Sequence, residues 1–238
     1  MKNIALFFCF CLFATILSAQ QRFTGGLFAG VNFAQIDGDY QQGYRKKIFG
    51  GGIRAAMIIN RKFDIGTELM YNGKGAEPSA GDISSRNPNF YMTMHYAEAA
   101  LTANLHFDQT EGGYNKKTVQ IGVSYGRLLS SSNEISKFTK LDTFRTKDFL
   151  QENIKNVDIS LLLGFAYRFT PKIGIAIRHT YSMTPFFERA FTQTPRVLPN
   201  QKDYYLARSY FLSFHLFYDL WVPELRKPKK VRKSTPKK

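Results

Sequence analysis

Cysteine is almost missing from this chain: there are two, Cys9 and Cys11, and both lie in the first eleven of 238 residues. Neither follows the small residues Ser18 and Ala19 where a lipid-bearing cysteine would have to stand, so a lipoprotein reading is poor. Beyond residue 20 there is no thiol, which excludes a disulfide framework and a thiolate metal site. Long apolar runs are equally scarce. One stretch, "IALFFCFCLFATILSA" after Lys2, has a basic start, an apolar middle and small residues before Gln20 and Gln21. That order predicts a cleaved export signal over 1–20. The alternative, an N-terminal anchor, is weakened by the shortness of the run. No later segment has the unbroken apolar length of a spanning helix.

Acidic residues are in short supply, 18 against 33 Lys and Arg, for a formal charge of +15. The excess is concentrated at one end. After Val222 the chain reads "PELRKPKKVRKSTPKK", with Arg226, Lys227, Lys229, Lys230, Arg232, Lys233, Lys237 and Lys238 against Glu224 alone. A Pro-punctuated basic run cannot form a core, and the reading is a disordered tail over 223–238. Such a run resembles a nucleic-acid arm, but an exported chain meets no nucleic acid. Anionic lipid or acidic cell-wall groups are the alternatives to a plainly solvated tail.

What is abundant is alternation. "FTGGLFAGVNFA" sets Phe23, Leu27, Ala29, Val31 and Phe33 against Thr24, Gly26, Gly30 and Asn32. "GGIRAAMIIN", "FDIGTELMYN", "TVQIGVSYG", "VDISLLLGFAYRF", "KIGIAIRHTYS" and "YYLARSYFLSFHLFYDLW" repeat the pattern. "HYAEAALTANLHF" (95–107) tests it hardest, because its alanines and leucines favour helix. Its period is two, however: Tyr96, Glu98, Ala100, Thr102, Asn104 and His106 share one parity, and a helix would scatter them around its circumference. That makes eight strands. Tight turns at 60–63 and 170–172 and a moderately short connection at 109–116 alternate with longer polar loops at about 37–48, 74–89, 131–156 and 185–203, the pattern of an outer-membrane meander.

The fold class read from this is all-β: an eight-stranded antiparallel meander transmembrane β-barrel over 21–222, with long external loops. A soluble barrel of lipocalin type would put its large apolar face inside. Here the large residues share one face, while the other is small, polar or charged and rich in glycine, which fits lipid outside and a narrow wet lumen inside. Tyr40, Tyr71, Phe90, Tyr91, Tyr125, Tyr167, Phe169, Tyr181, Tyr204, Tyr218 and Trp221 cluster at strand ends, where interfacial girdles belong. An even strand number puts both termini on the periplasmic side.

The first half carries more specific signals. "GLFAGVNFAQIDGD" and "FGGGIRAAMIINRKFDIGTELMYNGKGA" resemble the opening of the PorT-like outer-membrane barrels of Bacteroidota. The pattern shows in Glu68, Leu69, Tyr71, Lys74 and Gly75. "YAEAALTANLHF" is similar to the family's fourth strand at Tyr96 and Glu98, though it lacks the usual proline. "QIGVSYGRLLSS" resembles the fifth. The resemblance implies a non-enzymatic barrel, a structural or accessory subunit of an envelope complex for type IX-like protein secretion or outer-membrane protein assembly. Outer-membrane lipids and lipopolysaccharide would surround it. A small passive pore and a surface adhesin are the competing readings.

By parity Arg54, Glu68, Glu98, Arg168 and Arg178 project inward. Charges in a narrow lumen need partners, so the prediction is a ladder in which Glu68 and Glu98 pair with arginines, Arg54 first and Arg178 or Arg168 second. His95, His106, His179 and His215 show no ligand spacing, so neither metal nor cofactor is predicted. The Ser–His pair suggested by "HTYS" fails on parity, since His179 faces lipid and Ser182 the lumen. The glycines at 50–52 lack the helix and Lys-Ser/Thr of a phosphate loop. No catalysis is predicted.

Overall fold

In the computed structural model, eight antiparallel strands close on themselves. The structure describes residues 22–37, 43–77, 89–136, 154–185 and 208–222; of 89–90 and 133–136 it describes the backbone alone. The strands are β1 (Phe23–Asp37), β2 (Lys46–Asn60), β3 (Phe63–Ala76), β4 (Asn89–Gln109), β5 (Asn115–Ser136), β6 (Val157–Arg168), β7 (Ile173–Ser182) and β8 (Arg208–Trp221). Each pairs with its successor, and β8 closes the barrel on β1. The signal segment at 1–20 and the tail at 223–238 lie outside the described residues.

The two-residue period is what closes the barrel. In β4, Tyr96, Glu98, Ala100, Thr102, Asn104 and His106 point inward and are buried, while Leu101, Leu105 and Phe107 are exposed on the outer wall. Ile53, Leu69, Ile121, Leu163 and Leu216 continue that wall, each more than half exposed. A surface so apolar is unstable in water and suits hydrocarbon. No helix among the described residues is long and apolar enough to cross a membrane.

One end of the barrel, called here the turn end, carries the tight connections at 61–62, 110–114 and 169–172 together with the outermost residues of β1 and β8. The other, the loop end, carries the long connections. There β4 and β5 stay paired out to Asn89 and Ser136, beyond the last β3 partner at Ala76 and the last β6 partner at Val157. The strands run further into the expected loops than their polarity suggests: Lys74, placed at a loop edge by composition, is an interior residue of β3.

The closing seam pairs β1 residues 25–37 with β8 residues 208–221, with a bulge at Gly25/Gly26. A side chain at Gly30 would put its Cβ 1.8 Å from the Phe214 carbonyl oxygen, so the seam admits only glycine there. Gly75, at φ +152°, is similarly confined, 2.0 Å from the Met92 carbonyl.

The inner face differs from expectation in one respect. It is not only small and charged: Phe28, Met70, Met92, Met94, Tyr96, Phe211 and Phe217 also point inward and are buried. The reason lies in the cations. Arg54 stands 4.2 Å over the Phe217 ring, Arg178 lies 5.2 Å from Phe28, and Lys74 lies 4.8 Å from Tyr96. Aromatic faces partly take the place of water around these charges.

Candidate functional site

The lumen is filled by three polar tiers stacked along the barrel axis, each built from side chains of one parity on several strands. At the turn end, Asp219 of β8 is fully buried and accepts from two guanidinium groups. Arg54 Nε and Nη2 reach its Oδ1 at 3.0 and 2.5 Å, and Arg168 Nη2 reaches Oδ2 at 3.1 Å. One carboxylate thus ties β2, β6 and β8 across the opening.

The middle tier is a crossbar. Arg178 of β7 donates both terminal nitrogens to Glu68 of β3, each at 2.6 Å, a fork-to-fork geometry that fixes both planes. Its Nε donates to Gln120 at 3.1 Å, Gln120 donates to Asn104 at 2.9 Å, and Asn104 donates to Asp64 at 2.6 Å. Asp64 in turn holds His106 Nε2 at 2.6 Å, whose Nδ1 lies 2.9 Å from Thr118 Oγ1.

The third tier lies toward the loop end. Lys74 Nζ is pinned between Glu98 Oε1 at 2.6 Å and Asp158 Oδ2. Asp158 also accepts from Ser160, Ser182 and Thr184. Glu98 Oε2 accepts from Asn72 at 3.0 Å, and the chain continues through Asn32 to Ser213. Above this tier Met92, Met94, Tyr96 and Phe211 are 2 % exposed or less, an apolar stopper over the charges.

All five residues of the expected ladder are in the lumen, but their pairing is partly different. Glu68 takes Arg178, whereas Glu98 takes Lys74 and no arginine. Arg54 stands opposite Glu68 in the register yet turns to Asp219, as does Arg168. Four members, Asp64, Lys74, Asp158 and Asp219, are absent from the expected set. Parity alone identifies three: Asp64, Asp158 and Asp219 alternate with outward apolar neighbours. Lys74 was hidden because the polar run after it reads as loop. The eight basic tail residues lie outside the described part of the chain.

Thr118, His106 and Asp64 stand in the order hydroxyl, imidazole, carboxylate, the order of a nucleophile relay. The cavity they share with Thr24, Glu68 and Arg168 at the turn end holds only about 20 Å³. That is space for a water or so, not for an acyl substrate, and the relay is read as part of the crossbar. His179 faces outward and Ser182 inward to Asp158, so they do not meet. Among the described residues no group of three or more His, Asp or Glu is arranged to hold a metal ion.

No curated protein matches the chain. Similar solved structures include the attachment invasion locus protein Ail of Yersinia pestis, in complex with the heparin analogue sucrose octasulfate. It has 10 % identity and a TM-score of 0.40, over 83 % of this chain and 99 % of that one. Neisserial surface protein A has 14 % identity and a TM-score of 0.36, over 82 % and 96 %. OprG of Pseudomonas aeruginosa has 10 % identity and a TM-score of 0.35, over 84 % and 95 %. The family model described as "Outer membrane protein beta-barrel domain" matches residues 18–188. With most of its length matched, and with its strands closed into a barrel, the chain belongs to the outer membrane protein beta-barrel domain family.

Proposed function

We propose that this outer-membrane barrel is a closed, non-conducting scaffold: a structural or accessory subunit of an envelope complex, of the PorT-like type, serving protein secretion or outer-membrane protein assembly. The observation that carries the reading is the filled lumen, with three buried ion networks and the stopper of Met92, Met94, Tyr96 and Phe211. A conduit needs a continuous wet path, and a barrel of eight strands has little room for one once side chains fill it. With the interior occupied, the working surfaces are the outer wall, the loops and the basic tail. In this reading residues 1–20 direct export, the turn end and both termini face the periplasm, and the loop end faces outside. The tail is then placed to meet acidic groups of the periplasmic leaflet, the cell wall or a partner.

Two measurements test it. Purified protein in planar bilayers is expected to give no unitary conductance; steady channels from the parent chain would sink the scaffold reading in favour of a pore. Extraction in mild detergent through a tag on the chain is expected to bring envelope proteins with it. Repeated recovery of the barrel alone would count against the accessory role.

A further inference from the structure

One part of the outer wall is not built like the rest. Tyr44, in the connection between β1 and β2, reaches back over β1 and β8 to β7. Its hydroxyl lies 3.0 Å from His179 Nε2, and its ring packs edge-on against Tyr210 at 5.3 Å. Gln35 of β1 is the neighbour of Tyr210 across the seam. At 1 % exposure it is buried on a wall whose other members face outward. Beside this cover, Arg208 donates Nη1 to the Tyr181 hydroxyl at 3.3 Å. Tyr181 and Tyr210 are partners in the β7–β8 register. The result is an outward-facing cluster of Tyr44, His179, Tyr181, Tyr210 and Arg208 at the loop end.

Arg208 is the unusual member. Among the described residues it has no carboxylate within ion-pair distance, although Asp37 stands opposite it in the register. Its Nε is buried with no hydrogen-bond partner among the described residues. Each lumenal arginine discussed above has an acid; this one, on the outer wall, has a phenol. A buried, unpartnered guanidinium N–H is costly, and a planar fork of donors suits an oxyanion. Tyrosine and imidazole edges beside it suit an amphipathic headgroup at a membrane interface.

We propose that this cluster binds the phosphorylated sugar headgroup of an anionic glycolipid in the leaflet on the loop side. Arg208 takes the phosphate, and the Tyr44 cover and Tyr210 pack against the sugar. The assignment rests on the reading that the loop end faces outside. The shared chemistry with other lipids is phosphate; the aromatic cover is what selects a sugar-bearing headgroup.

The test uses the full chain refolded in zwitterionic micelles, with purified lipopolysaccharide as the probe and native mass spectrometry with a binding titration as the readout. The parent is expected to retain one lipopolysaccharide per barrel. Arg208→Leu and Tyr44→Ala are each expected to weaken it at least tenfold, Arg208→Lys less, and Lys172→Ala at the turn end not at all. Both sites lie outside the lumen tiers, and the unheated gel mobility of each variant reports whether its barrel is closed. Equal binding by parent, Arg208→Leu and Tyr44→Ala overturns the proposal. So does equal retention of phosphatidylglycerol, or full displacement by millimolar inorganic phosphate. Orientation is read separately, by protease access to a tag on the tail in intact and permeabilised cells. Cleavage in intact cells overturns the topology, whereas failure of the parent to retain lipopolysaccharide in micelles overturns the binding site.

Discussion

Removing one partner of the Glu68–Arg178 crossbar should cost far more than removing both. Each group is 3 % exposed, and the pair makes two 2.6 Å charge-assisted bonds. Arg178→Met strips the Glu68 carboxylate of both its guanidinium bonds, leaving only Arg54, which is committed to Asp219, on the neighbouring strand, and breaking a buried pair in this way costs about 3–5 kcal/mol. Glu68→Gln strands the guanidinium instead, though Gln120 still accepts from Nε, so the lower end of that range applies. The double variant Glu68→Leu/Arg178→Met removes both desolvation penalties and should lie well above the sum of the singles, with a coupling of about 2 kcal/mol or more. With a denaturant slope of about 4 kcal/mol/M, Arg178→Met alone shifts the guanidinium midpoint down by about 1 M. Equilibrium unfolding in micelles, followed by circular dichroism and by unheated gel mobility, measures all three. Single-variant losses under about 1 kcal/mol that simply add in the double would refute the buried-pair argument.

Other outcomes follow from features of the same barrel. Asp219→Asn leaves Arg54 and Arg168 facing each other without their shared carboxylate and should cost about 3 kcal/mol in the same unfolding assay; a neutral result would mean that water at the turn end already screens them. Gly30→Ala forces a Cβ into the Phe214 carbonyl and should abolish the fast-migrating closed form, whereas Gly112→Ala, with 3.6 Å to its nearest neighbour, should leave it intact. Leu163→Arg, placed on the 60 % exposed outer wall, should lose about 2–4 kcal/mol in bilayers. The same change should have little effect if that wall faced water. Lys74→Met leaves Glu98 and Asp158 adjacent with no cation between them. It should lower the folded yield sharply, measured as the fraction of closed barrel after refolding.

Strand count, order and facing were legible because a period of two survives even where composition points elsewhere. The Ala-rich run around Glu98 shows this, since its inward residues alternate without a break. Which inward charges exist was also largely legible, as Arg54, Glu68, Glu98, Arg168 and Arg178 show. Their partners were not. Parity gives a residue's face but not its height or its reach across the lumen. Arg54 therefore passes over Glu68, its register neighbour, to a carboxylate on β8 that is 165 residues away in sequence. Lys74 was missed for a different reason. The polar residues after it suggest a loop, and only the strand's continuation to Ala76 places it inside. The cluster around Tyr44 has no periodic signature at all, because it depends on one side chain outside the strands reaching residues of β7 and β8.

The seam between β1 and β8 has a consequence for how the chain reaches its native state. Seven of the eight strand pairings join neighbours in sequence, and they can zip up hairpin by hairpin. The eighth joins residues 25–37 to residues 208–221, a contact that cannot form until nearly everything between is in place. Until then both outermost strands carry unsatisfied backbone groups along a dozen residues, in a sheet whose outer face is hydrocarbon-like. In water such an intermediate would add strands from its neighbours and precipitate. In a bilayer the same open edges would be driven to each other as the only partners within reach. The last hydrogen bonds to form would thus be those that Gly30 keeps close, and the rate of maturation should respond to changes there before it responds to changes in any hairpin.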